Sequence, residues 1–456
     1  MVEWAKQRGF STNVDRAGNL VVRVPASAGR EGAPVVVLQA HLDMVCEKDE
    51  GVEFDFSRDP ICARVEGGWV TAEGTTLGAD DGIGLAAAMG AATDPECHHG
   101  PLELLFTVSE ETSLEGAANL DGSMVTGRIV VNLDSEDEGT FYVGCAGGGT
   151  AHVELPLEYD IPPPGVLVVV RVDGLKGGHS GVDVDKGRGN AVKLAARLLR
   201  AAREAGVGSH VAWFKGGGLR NAIPRECAFA LVVPPALVGD VQALVDGWHP
   251  VLSEELGKAD PNLELSVELP EVEGDEPPPT LTEKARDRLL GFLLAVPSGV
   301  LALSQEIPGL VETSQNLASV TTEGDRALVV VNSRSASNSA LRHLRDCVQE
   351  LAGLVGATVE ELETYPGWKP DPHSPLVKRA AATYRGLFGR EPKVTAIHAG
   401  LECGVLSERI PGAQMISVGP TVRDAHSPSE RVDATSVEKF YEFLKALLAD
   451  LTEEAA

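Results

Sequence analysis

Short apolar runs alternate with glycine-rich turns through the first third of the chain: Val35-Val36-Val37-Leu38, Leu102-Glu103-Leu104-Leu105-Phe106-Thr107-Val108 and Ile129-Val130-Val131. Runs of this length between turn residues read as buried strands of an α/β sheet. The pattern breaks at Ile161-Pro162-Pro163-Pro164-Gly165, because consecutive prolines neither donate to a ladder nor continue a helix, and the stretch reads as a linker. Beyond it strands are expected over 166–172, 228–233 and 328–331, with helices over 190–205 and after Asn338. The polar, proline-rich stretch 273–279 reads as a loop within this second α/β unit. After Tyr365-Pro366-Gly367 come a helix over 376–388, a strand over 415–418 and a closing amphipathic helix over 437–451. The expected organisation is a first domain built from 1–162 and 367–456, with 163–366 inserted.

Composition narrows the class. At 456 residues, 43% hydrophobic and 23% charged, the chain suits a globular protein of more than one core. No apolar run reaches the roughly 20 residues that cross a bilayer, and the first residues show no secretory h-region, so the cytoplasm is the expected location. Seven scattered cysteines without a CxxC pair argue against a disulfide framework or a cysteine-zinc site. A net charge of -28 repels nucleic acid and anionic membranes, so neither is an expected partner.

Five positions share a place at the C-terminal ends of the expected strands or in the loops after them, where ligand sites of α/β sheets collect: His41, Asp80, the pair Glu110-Glu111, Asp134 and His426. One such residue alone is usually a cap, a loop residue or a satisfied histidine. Their joint appearance points to a shared cluster. Two divalent ions about 3.5–4 Å apart suit a bridging carboxylate with a histidine and a further carboxylate on each side. Asp80 is assigned as the bridge, His41 and Asp134 to one ion, and Glu111 and His426 to the other. Asp43, two residues from His41 on an extended chain, projects from the same face, and its carboxylate is expected to accept the imidazole's other N–H. Adjacent side chains diverge, so Glu110 is left as the general base facing the attacking water, which a metal activates as hydroxide near neutral pH.

The motifs His41-Leu42-Asp43-Met44-Val45, Gly74-Thr75-Thr76-Leu77-Gly78-Ala79-Asp80-Asp81-Gly82-Ile83-Gly84, Asn132-Leu133-Asp134-Ser135-Glu136, Gly144-Cys145-Ala146-Gly147-Gly148 and His398-Ala399-Gly400-Leu401-Glu402-Cys403-Gly404 resemble, in order, those of the Xaa-His dipeptidases, or peptidase D. Two more motifs, Gly174 through Gly181 and Leu219 through Arg225, extend the resemblance, which spans about 4–435. It implies a zinc-peptidase-like catalytic domain, with a mixed central sheet flanked by helices, interrupted by an inserted α/β lid domain. It also implies two divalent ions, zinc with manganese or cobalt as alternatives, and hydrolysis of unblocked, carnosine-like dipeptides with His on the C-terminal side. A homodimer through the lid is compatible with it. In the lid, Arg334 is the candidate clamp for the substrate carboxylate, Asn221 its partner, and His179 the candidate oxyanion donor, on lid closure or from a neighbouring subunit. Two departures stand out. The sequence starts at the stretch Val2 to Phe10, ahead of which the family usually has a further helical segment, and Asp81 stands where the family often has Asn, adding negative charge beside the bridging ligand.

Other readings share the metal centre. A tripeptidase or an N-acyl amino acid deacylase of the same superfamily would differ only in the pocket. A non-catalytic binding protein on this fold would have lost a ligand or the base, whereas all seven candidates are present.

Overall fold

The computed structural model describes residues 1–270 and 277–453, so 273–276 of the expected proline-rich loop lie outside the described residues. The chain forms two compact units, one of Met1–Cys145 with Trp368–Ala456, the other of Ala146–Gly367. The first crossing between them therefore comes earlier than the break expected at 162. The reason is pairing: the strand Gly147–Pro156 lies between Arg326–Ser335 and Thr358–Tyr365, and its ladder hydrogen bonds tie it to the second unit. The prolines at 162–164 fall inside that unit.

The first unit is built on a sheet in the order Ser11–Val14, Leu20–Val24, Leu102–Thr107, Val36–His41, Ile129–Asn132, Gln414–Ser417, Thr140–Cys145, Lys393–Ile397. The middle four strands run parallel, and Leu20–Val24 and Thr140–Cys145 flank them antiparallel, so the sheet is mixed. Along Val36–His41 the strand period of two separates the faces: Val36, Leu38 and Ala40 join the apolar core, and Gln39 and His41 point to the opposite side. The closing helix Ala434–Asp450 seals the core with Phe440, Phe443, Leu444 and Leu447, a spacing that makes one helical face. Its start is capped by Asp433, whose carboxylate accepts the Thr435 N–H at 3.0 Å.

The second unit is a sheet ordered Glu264–Glu268, Val166–Asp173, Cys227–Val233, Val211–Gly217, Val311–Glu323, Arg326–Ser335, Gly147–Pro156, Thr358–Tyr365, with Gly299–Leu303 pairing beside Val311–Glu323. The helices Ala191–Glu204, Val238–Leu256, Glu283–Ala295 and Asn338–Leu354 contribute to its large core. Among the described residues no helix is long and apolar enough to cross a membrane.

Candidate metal centre

The residues expected to meet do meet, at the C-terminal edge of the parallel strands of the first unit. His41 ends its strand, and its Nε2 lies 3.0 Å from Asp80 Oδ1 and 3.4 Å from Asp134 Oδ1. His426 Nε2 lies 3.1 Å from both Asp80 Oδ2 and Glu111 Oε2. Asp80 therefore turns one oxygen to each group. Ligand atoms of His41, Asp80 and Asp134 come within 4.8 Å of one another, as do those of Asp80, Glu111 and His426; His41, Glu110 and Glu111 form a third such group.

Local backbone choices place these side chains. Gly78 takes a left-handed φ of 71°, which a glycine adopts freely, and turns the chain into the helix Ala79–Ala91 just before Asp80. Ser109, at φ 55°, turns the chain from the end of Leu102–Thr107 into the short helix Glu110–Ser113. His426 itself sits at φ 63°, a conformation costing a non-glycine residue roughly 1–2 kcal/mol.

One expected contact is different. The His41 Nδ1 partner is the backbone carbonyl of Asp43, at 2.9 Å, while the nearer Asp43 carboxylate oxygen lies at 3.7 Å. The carboxylate is engaged instead by the backbone N–H groups of Glu110 at 3.0 Å and Glu111 at 3.1 Å. Those are free donors of a helix's first turn, and an anion there is favoured by the helix dipole as well.

The electrostatics of the cluster call for cations. Burial pushes Asp134 well above the usual carboxylate range, and the charge of Asp80 adds to it. Burial raises Glu110 to about 8, reinforced by the negative charge of Glu402. Hydrogen bonds to Asp80 and Glu111 raise His426 to about 10. Burial disfavours a charged His41, yet hydrogen bonds to Asp134 and Asp80 outweigh it and lift its pKa. Glu111 Oε1 is buried with no hydrogen-bond partner among the described residues, a lone pair that a dication would satisfy. Hard carboxylate oxygens with imidazole nitrogens form a donor set suited to zinc, manganese or cobalt, so the residues fit divalent metal ions.

Three further carboxylates take part, of which the sequence marked only Asp81, as a negative charge where the family often has Asn. Glu430, buried, accepts the backbone N–H groups of Leu77, Gly78, Ala79 and Asp80 at 2.7–3.3 Å and so anchors the loop carrying the bridge. Asp81 accepts the His41 N–H at 3.2 Å and the Gly84 N–H at 3.1 Å, and burial pushes its carboxyl well above the usual range. Glu402 lies fully buried at the start of the helix Glu402–Arg409. Its position within a family-like motif was the one available signal.

In the second unit, Gly178–His179 pairs with Ala222–Ile223, which brings Asn221 beside the His179 turn; the Ser180 N–H donates to the Asn221 carbonyl at 2.7 Å. His179 Nδ1 accepts the N–H groups of Gly181 and Val182, and burial with the positive charge of Arg334 lowers its pKa. The imidazole is thus neutral with its proton on Nε2. Arg334 is buried, donates to Tyr365 Oη at 3.2 Å, has no carboxylate partner among the described residues and leaves Nε unpaired.

Comparison with known proteins gives a consistent picture. The model of peptidase family M20/M25/M40 matches residues 37–450. The chain is 40% identical over 452 residues to the cytosol non-specific dipeptidase of Escherichia coli K12, covering 99% of this chain and 92% of the relative. It superposes on the aminoacylhistidine dipeptidase of Vibrio alginolyticus with a TM-score of 0.93 at 39% identity, over 100% of this chain and 92% of that one. The aminopeptidase PepT of Bacillus cereus, at a TM-score of 0.54, 17% identity and coverage of 99% and 91%, shares the fold alone.

Proposed function

The chain belongs to peptidase family M20/M25/M40, and from that premise we propose that it is a cytoplasmic dipeptidase using two divalent ions, zinc or a close substitute. His41, Asp80 and Asp134 hold one ion; Asp80, Glu111 and His426 hold the other. The observation that carries the reading is the division of Asp80, with Oδ1 toward His41 and Oδ2 toward His426. Bound there, the ions supply Lewis acidity and acidify the attacking water.

The side chains do the rest. Glu110 takes the proton of the water and delivers it to the leaving amine. Asp43 positions Glu110 and Glu111 through their backbone N–H groups. Arg334, a buried cation without an acidic partner among the described residues, binds the free carboxylate of the substrate in a bidentate fork. His179 donates its Nε2–H to the oxygen that gains charge during attack, and Asn221 helps orient the substrate.

The substrates are unblocked dipeptides, including Xaa-His. The relatives' names differ on breadth, one being non-specific and the other aminoacylhistidine. A panel of free dipeptides, their N-acylated counterparts and tripeptides, assayed with and without added zinc, manganese or cobalt, tests the proposal. Metal-dependent release of free amino acids from the unblocked dipeptides is the expected result. Preferred cleavage of N-acyl amino acids or tripeptides would assign the site to the alternative hydrolases instead.

A further inference from the structure

Beneath the candidate ligands, a row of buried polar side chains crosses the four parallel strands of the first unit. Gln39, Asn132 and Ser417 stand directly opposite one another in three neighbouring strands, and Thr107 ends the fourth. Ser417 Oγ donates to Asn132 Oδ1 at 2.5 Å, Asn132 Nδ2 to Gln39 Oε1 at 2.6 Å, and Gln39 Nε2 to Glu402 Oε2 at 2.5 Å. Thr107 Oγ1 donates to the same Glu402 oxygen at 2.7 Å. Since the Ser417 proton is already directed to Asn132, Ser135 is the donor in the 2.5 Å contact between the two hydroxyls. The donors all run one way, and the row ends on the Glu402 carboxylate.

Such a row is costly to bury. Each amide and hydroxyl gives up its hydration for only a small net gain per hydrogen bond, and apolar side chains of similar volume would pack at least as well. What the row provides is fixed geometry. Gln39 is two residues before His41, and Asn132 two before Asp134, so with a strand period of two each lies on the same face as a ligand. A shift of one residue between the strands would turn those ligands away.

We propose that the row from Ser135 to Glu402 is the positioning layer of the metal centre, locking the strands of Gln39 and Asn132 so that His41 and Asp134 reach the same ion. The inference rests on the two-ion reading above. It assigns these six residues a role through the ligands and not on the substrate. The ion held by His41 and Asp134 depends on the layer, whereas Glu111 and His426 approach from the short helix and a loop.

The test is zinc titration of the metal-stripped full-length chain against a competing chelator, beside the melting temperature of the metal-free protein. The parent is expected to take up two ions. Asn132→Leu is expected to weaken one ion tenfold or more, the size typical of losing a partner that orients a ligand, and to leave the other within about twofold. Ser417→Ala, a milder change that removes only the far hydroxyl, should weaken the same ion several-fold, and Ser417→Thr should restore it. Should Asn132→Leu not fold, the serine pair decides. Unchanged affinities in the folded variants, or equal loss at both ions in step with melting temperature, would overturn the positioning role. A parent that binds fewer than two ions would instead overturn the two-ion reading itself, and the layer with it.

Discussion

The carboxylate of Asp43 holds the backbone of Glu110, Oδ1 accepting its N–H at 3.0 Å while Oδ2 accepts that of Glu111 at 3.1 Å. One side chain thus sets the start of the helix that carries both the candidate base and a candidate ligand, and its own carbonyl orients His41.

Asp43→Ala should therefore lower turnover by about 10–100-fold and weaken the ion that Glu111 holds, since both N–H groups lose their acceptor. Turnover and metal stoichiometry, measured together, check this. Parent-like values for both would remove Asp43 from the site.

Glu110→Gln should keep both ions and lose about 10²-fold or more in turnover, because the amide cannot take the proton of the water. If metal is lost instead, Glu110 is a ligand and Glu111 the base, an exchange that the grouping of both with His41 makes chemically sensible.

Metal uptake should expel protons. Without a bound cation, hydrogen bonds to Asp80 and Glu111 raise the His426 pKa to about 10, so that imidazole is charged at neutral pH, and the pKa of His41 is raised as well. A cation needs the lone pair that the proton occupies, so affinity should fall as pH falls. Calorimetric zinc titrations in buffers of different ionisation enthalpy would show net proton release; identical heats in all buffers would refute it. Chelators should abolish activity, and added metal should restore it.

Arg334→Ala should mainly raise KM for free dipeptides, and His179→Ala mainly lower kcat, each with parent metal content. Arg334 carries a buried charge that a substrate carboxylate would neutralise, and the lowered pKa of His179 keeps it a neutral donor. Steady-state kinetics on an unblocked dipeptide distinguishes the two effects. Unaltered KM and kcat in both variants would show that neither touches the substrate.

The sequence by itself determined the buried strands of the first unit and the residues at their ends. Apolar runs such as 35–38 and 129–131 encode burial locally, and the ligand types sit at fixed offsets from them. Only the tertiary structure decided which Asp80 oxygen meets which histidine, that the Asp43 carboxylate serves Glu110 and Glu111, and that the first crossing between units follows Cys145. Glu402 and Glu430 act on residues more than 290 positions away, Thr107 for one and Leu77 for the other. No local period marks such a carboxylate, because its role comes from partners that meet it only when distant strands and loops pack together.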